Sequence, residues 1–378
     1  MECQKHHFQL DPDIHYLNNA YKAPLLKSGE EAAINALQRG RNPFKLSTAH
    51  FFDEVDEVKN LYAQIINASS EQIAMIPSTS YGFASILPNI PAKPNGKVIT
   101  VQDEFPSGVF AAQAWCKNNQ NELIFVGPND TKEPNLGHQW NQNILDQIDE
   151  QTSFVIISSI HWANGIKFNL KEIGEKCAGV GAKLIVDGTQ SVGSQEMDVV
   201  DCKISALITA AYKWLLGPYS LGFMYLDESF YQGTPLEESW MNRSNARDFS
   251  NLSTYEKNYN DAAGRFNMGE TSNFILMPIA KAGLEQLIKW TPKAIQDYDI
   301  KLTNPLFEYL NFEDKDSYSH HLFSLPIPSN VNKEKLQENI SKNNIIVSQR
   351  GESIRVSVNV FNDNADIQAL IKAIDASS

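Results

Sequence analysis

The sequence predicts a doubly wound α/β protein, and three observations predict it. Seven short runs are almost wholly apolar: IAMI (73–76), KVITV (97–101), LIFVG (123–127), FVIISSI (154–160), KLIVD (183–187), ALITA (206–210) and LGFMYL (221–226). Such continuous apolarity fits strands buried on both faces, as in a parallel sheet. Helix-like stretches lie between the runs, and that alternation places helices over a sheet. After about residue 230 the pattern changes, which marks a second unit of different build.

Each element has its own signal. The stretch from about Ser28 to Asn67 reads as mostly helical, broken at Asn42-Pro43. LKEIGEKCAGVGA (170–182) carries apolar residues at helical spacing and ends in glycines, so a helix connects the fourth and fifth runs. Residues 228–270 are polar with few strand signals, as expected of long functional loops. Helices are expected at about 278–291 and 293–311. HLFSLPIP, a helix at 332–343, NIIVSQR, SIRVSVNVF and a final helix at 364–375 then form a smaller α+β unit. No repeat, low-complexity tract or compositional linker separates the units, so a tight join is expected.

Composition bounds the function. The chain has 378 residues, enough for two domains or one large domain with an appendage. Hydrophobic residues make up 42% and charged residues 20%, which argues against global disorder and fibrous repeats. The net charge of −13 disfavours a nucleic-acid partner and an anionic membrane surface. Cys3, Cys116, Cys177 and Cys202 include no CxxC pair, which reads as reduced intracellular thiols with no structural zinc. The N-terminus lacks a signal-peptide pattern, and no apolar stretch approaches the roughly 18 residues of a membrane helix, so a cytoplasmic protein is expected.

Five segments carry chemistry. In TAAYKWLLGP (209–218), Lys213 follows a strand among Tyr212, Trp214 and Leu215. An ordinary lysine would lay its stem on apolar surface with its head in water. In an apolar, electropositive pocket the amine would instead lose affinity for its proton and form a Schiff base. In KLIVDGTQSVG (183–193), Asp187 ends a buried strand, where open α/β sheets bind ligands. It is either a helix-capping or turn aspartate, or a carboxylate facing a pyridinium nitrogen. Gln190, three residues on, could reach the same ring's phenolic oxygen.

In IPSTSYGF (76–83), Thr79 and Ser80 open a helix, either as a plain cap or as a phosphate cradle. In SIRVSVNVFND (353–363), Arg355 lies on a strand, either as a sheet-surface arginine or as a planar fork for a substrate carboxylate. In DEFPSG (103–108), Phe105 links strand to helix, either as a core ring or as a ring stacked on a flat cofactor.

In order and spacing these segments resemble the class V aminotransferase family of pyridoxal-phosphate enzymes, which includes cysteine desulfurases, isopenicillin-N-epimerase-like proteins and kynureninase. The resemblance runs from HYLNNA (15–20) to IRVSVNVFN (354–362), and the DGTQ and YKWLLGP pair is its most specific part. It implies that Lys213 bears the Schiff base of pyridoxal 5′-phosphate and that Tyr212, Thr79 and Ser80 contact the phosphate. Asp187 would pair with the pyridine nitrogen, Gln190 with the phenolic oxygen, and Phe105 would stack on the ring. Arg355 would take the substrate carboxylate, and Asn19 of the opening segment would bind substrate as well.

The implied fold is fold type I, with a large domain (20–270) built on a mostly parallel seven-stranded sheet. A small domain would come from both chain ends (1–19 and 271–378). A homodimer with shared active sites is implied as well. GETSN (269–273) resembles a segment that crosses to the neighbouring site, with Gly269-Glu270-Thr271 in place of the usual Gly-Thr pair, so Thr271 would reach the neighbouring phosphate.

Departures from the family pattern narrow the reaction. Desulfurases of the family carry a nucleophilic cysteine before the carboxylate-binding arginine, whereas VSQRGESIRVS (347–357) has none. Phe105 stands where that branch has a stacking histidine, and a phenyl ring cannot move protons. In SIHWANG (159–165), Trp162 replaces a cofactor-contacting asparagine, and His161 is either an acid–base group or a core histidine. The expected activity is aminotransferase, with an amino-acid lyase or epimerase of the same family as the alternative. A dinucleotide oxidoreductase lacks its GxGxxG after the first strand. A non-catalytic binding protein would have no need of Lys213 and Asp187.

Overall fold

The computed structural model describes residues 1–129, 135–312, 314–350 and 353–378. In chain order the first half contains β1 (His15–Tyr16), α1 (Lys27–Arg39), α2 (Ala49–Ile65), β2 (Ile73–Ile76), α3 (Thr79–Ile86), β3 (Lys97–Val101), α4 (Pro106–Asn119), β4 (Glu122–Val126), α5 (Leu136–Gln147), β5 (Thr152–Ser158), α6 (Leu170–Gly179) and β6 (Lys183–Asp187). The second half contains β7 (Ala206–Ala210), β8 (Gly222–Leu226), α7 (Leu276–Trp290), α8 (Pro292–Tyr309), β9 (Leu322–Pro326), α9 (Lys333–Lys342), β10 (Ile345–Ile346), β11 (Ser348–Arg350), β12 (Ser353–Ser357) and α10 (Asn364–Asp375). Residues 228–270 hold only short 3-10 turns and no strand, in keeping with their polar sequence.

The seven expected apolar runs form one sheet in the order β2-β8-β7-β6-β5-β3-β4. Every pairing is parallel except those of β8, which runs against both β2 and β7. Six of the apolar runs are covered on both faces; the edge strand β4 departs from the expectation, with Glu122 and Phe125 exposed. In β5, Val155 and Ile157 point into a core with α2, α6 and α7, while Phe154 and Ile156 point into another with α3 and α4. Leu184 and Val186 of β6 join the first core and Ile185 the second.

A three-stranded antiparallel sheet, β11-β12-β9, packs with α8, α9 and α10 around Leu306, Phe323, Val356 and Leu370. The N-terminal segment belongs to this layer. β1 pairs in parallel with β10, and Leu17 O accepts Ser357 N at 2.9 Å. Gly351 and Glu352, inside the expected desulfurase-loop stretch 347–357, lie outside the described residues. No helix among the described residues is long and apolar enough to cross a membrane.

Topology brings the chemistry-bearing segments together. The carboxyl ends of β2, β3, β5, β6 and β7 share one edge of the sheet, and the reversed β8 brings its amino end, preceded by Tyr219–Leu221, to the same edge. Ligands of open α/β sheets bind at such an edge.

Candidate active site

A cavity of about 270 Å³ opens at this edge, lined by Thr79, Ser80, Phe105, Asp187, Gln190, Tyr212 and Lys213. Seven residues expected at the site from sequence thus meet in one place. Each is set there by a strand end or a helix start.

Lys213 follows β7 in a tight turn and is 7% exposed. Its Nζ lies 5.6 Å from the centre of the Tyr212 ring and 5.9 Å from that of Phe105, so two aromatic faces attend the amine. The turn is held by close backbone approaches. A Cβ on Gly193, whose φ is +103°, would meet the Trp214 carbonyl oxygen at 2.5 Å. A Cβ on Gly283 of α7 would meet the Leu215 carbonyl oxygen at 2.6 Å. Only glycine admits both contacts.

Asp187 ends β6 and is half-buried toward the cavity. Its Oδ1 accepts Thr189 N at 2.9 Å. Burial raises its proton affinity above the usual carboxylate range; the Thr189 hydrogen bonds and the Lys213 charge oppose that rise. A carboxylate desolvated in this way is stabilised by a nearby cation.

Gln190 is buried, with its Oε1 accepting Trp214 Nε1 at 2.9 Å and its Nε2 donating to Ala20 O at 3.3 Å. One amide hydrogen of Nε2 remains for a ligand. Helix α3 begins at Thr79, and Ser78 Oγ caps it by accepting Tyr81 N at 3.2 Å. The amides that follow form the positive end expected to take an anion. Phe105 is 38% exposed at the cavity rim and meets Trp162 edge-on at 5.6 Å. Tyr212 packs against Tyr219 at 4.7 Å, and burial raises its phenol's proton affinity.

Three expected residues lie off the cavity. Arg355 on β12 is 2% exposed, and its Nη1 donates to Trp162 O at 2.9 Å, so it stands behind the Trp162 wall. Asn19 is fully buried beside β12, where its N–H donates to Ser357 O at 3.2 Å. Both polar atoms of its side chain lack a hydrogen-bond partner among the described residues. Thr271 lines a different cavity, with Phe52, Lys59 and Arg247, and its hydroxyl donates to Met241 Sδ at 3.8 Å. His161 packs between Trp140 and Phe168, with Nε2 at 3.1 Å from Gln102 O, and burial lowers its affinity for a proton. It does not line the cavity, and the core-histidine alternative describes its surroundings.

Sequence reasoning passed over Glu104, Ser158, Thr189 and Tyr219. Ser158, Thr189 and Tyr219 line the cavity. Buried Glu104 bonds Phe105 N and Ser158 N. The available signal was position alone, since each lies at or within three residues of a strand end.

Comparisons with known proteins bear on the family and the fold. The family model described as Aminotransferase class-V matches residues 38–370. An uncharacterised aminotransferase of Bacillus subtilis, YcbU, is 22% identical over 330 residues, which cover 86% of this chain and 84% of that protein. The apo cysteine desulfurase of Thermococcus onnurineus superposes with a TM-score of 0.81 at 17% identity, covering 99% of this chain and 98% of that one. A C-DES mutant with glycine covalently linked to its PLP cofactor superposes with a TM-score of 0.82 at 16% identity, covering 99% of each chain.

Proposed function

The chain belongs to the class V aminotransferase family and takes that family's cofactor, pyridoxal 5′-phosphate; from that premise we propose that it is an aminotransferase working through Lys213. The carrying observation is the meeting of Lys213, Asp187 and the start of α3 in one cavity. The fold is the fold type I arrangement of pyridoxal-phosphate enzymes, with its mostly parallel sheet.

The residues present fit the group. Asp187, raised by burial, is relieved by a cation, which a protonated pyridine nitrogen provides. The capped start of α3, with Thr79 and Ser80, suits the phosphate, and Tyr212 stands on the same cavity wall. The second amide hydrogen of Gln190 suits the phenolic oxygen.

Bound there, the cofactor supplies an electron sink for charge developing at the substrate's Cα. Asp187 keeps the ring nitrogen charged and so sustains that sink. Phe105 would stack on the ring and shield it from water. Lys213 would hold the cofactor, and its Nζ would be the group that takes the substrate's Cα proton and gives it back. Arg355 would fix the substrate carboxylate, with Asn19 as a second substrate-binding residue.

The same reading takes residues 20–270 as the cofactor domain and residues 1–19 and 271–378 as the small domain. It makes the protein a homodimer in which Thr271 reaches the neighbouring phosphate. The persulfide route is set aside because residues 347–357 contain no cysteine.

The test is a screen of amino acids paired with 2-oxo acids. Transfer of the amino group to the acceptor supports the proposal. Release of ammonia with no dependence on an acceptor would assign the lyase alternative, and inversion at Cα the epimerase.

A further inference from the structure

Glu104 stands one residue before Phe105 and is 8% exposed. Its carboxyl group gathers donors from the start of α4 and the end of β5. Phe105 N donates to Oε1 at 2.7 Å, and Ser158 N donates to Oε2 at 2.6 Å. Ser158 Oγ contacts both oxygens, at 3.0 and 2.9 Å. Ser158 closes β5 and pairs in register with Asp187 of β6. One side chain therefore ties the backbone of Phe105 to the strand position beside Asp187. Phe105, Ser158 and Asp187 all line the cavity, whereas Glu104 does not.

A buried carboxyl group is a poor device for stability alone, because apolar packing of the same volume does as well or better. A satisfied buried polar network instead fixes one geometry among several.

We infer that Glu104 is a positioning residue that acts through Phe105 and Ser158, setting the ring over the cavity relative to Asp187. The inference rests on the reading that Phe105 stacks on bound pyridoxal phosphate.

The test uses the holoenzyme and Glu104→Gln. Glutamine keeps one acceptor oxygen but turns an NH2 group toward one of the two backbone donors, so either the start of α4 or the end of β5 is released. Affinity for pyridoxal phosphate should fall roughly tenfold, as expected when a buried N–H loses its acceptor. The circular dichroism of the visible cofactor band, which reports how the ring is held, should change in intensity.

A folded Glu104→Gln protein with wild-type affinity and a wild-type band would overturn the inference. Lower heat resistance with an unchanged band would overturn it too, since a mere brace would behave that way. Should Glu104→Gln not fold, Ser158→Ala removes the hydroxyl contacts and keeps both N–H bonds; it should shift the same band, and an unchanged band overturns the inference. A wild-type protein with no visible band removes this inference together with the proposed function, whereas a normal wild-type band with an indifferent Glu104→Gln removes this inference alone.

Discussion

Trp214 donates its indole N–H to Gln190 Oε1 at 2.9 Å, clamping the turn that carries Lys213 to the turn that follows Asp187. Both residues are buried, and His321 stacks edge-on against the indole at 4.4 Å while its Nε2 meets Gln190 O at 2.7 Å. Trp214→Phe keeps the packing and removes the donor. Leaving Gln190 Oε1 buried without it should cost about 1–3 kcal/mol of stability, read by denaturant unfolding of the apoprotein. Unchanged stability would mean that the two turns hold their places without this bond.

Arg355 is buried, so its charge is held away from water. Arg355→Ala should chiefly raise KM for the amino acid, by the equivalent of about 2–5 kcal/mol, with a smaller effect on kcat. Equal affinity in wild type and variant, measured by substrate-induced spectral change, would rule out the clamp.

Burial pushes the Glu104 carboxyl from the usual 4.5 to about 7, with Asp187 adding to the rise and the Phe105 and Ser158 hydrogen bonds opposing it. The native state therefore binds a proton that the unfolded state has released. The resulting stability is fully present below about pH 4.5 and is lost as pH rises through about 7. Glu104→Gln cannot titrate. Its stability relative to wild-type apoprotein should climb between these pH values, by something of the order of 3 kcal/mol. A constant difference across that window contradicts the raised value.

Lys59 on α2 is 8% exposed, and burial lowers its ammonium from the usual 10.5 to about 8, helped by Arg247 and opposed by Asp56. The sign is opposite to that of Glu104. Stability linked to Lys59 is present above about pH 10.5 and lost as pH falls through about 8. Lys59→Met should be more stable than wild type at pH 7, by up to about 3 kcal/mol, with the gain fading toward pH 10.5. Thermal unfolding at the two pH values measures this directly.

The sheet was legible because all its strands but the edge strand β4 are buried on both faces. Such burial leaves IAMI with no polar position and KLIVD with polar residues only at its two ends. β5 begins two residues earlier than its apolar run, at Thr152 and Ser153. Both are buried, and their hydroxyls find Asp149 and Asn121, contacts that no local pattern reveals. The helix expected over 170–182 stops at Gly179, and the chain turns back at Gly181, where φ is +68°.

In the site, Lys213 and Asp187 could be read because each follows an unmistakable strand. Glu104 could not, because its partner Ser158 is 54 residues away in sequence. Arg355 could be placed on a strand, but its present contact with the Trp162 carbonyl depends on how two sheets meet, and no spacing in the sequence encodes that.

The central claim is that Lys213 carries the cofactor, and borohydride reduction followed by peptide mass spectrometry tests it most directly. Wild-type protein loaded with pyridoxal phosphate should be yellow and, after reduction, should carry the pyridoxyl group on Lys213. Lys213→Ala should show neither the colour nor the adduct. An adduct on another lysine in the wild type, or a reducible linkage that survives in Lys213→Ala, would contradict the account.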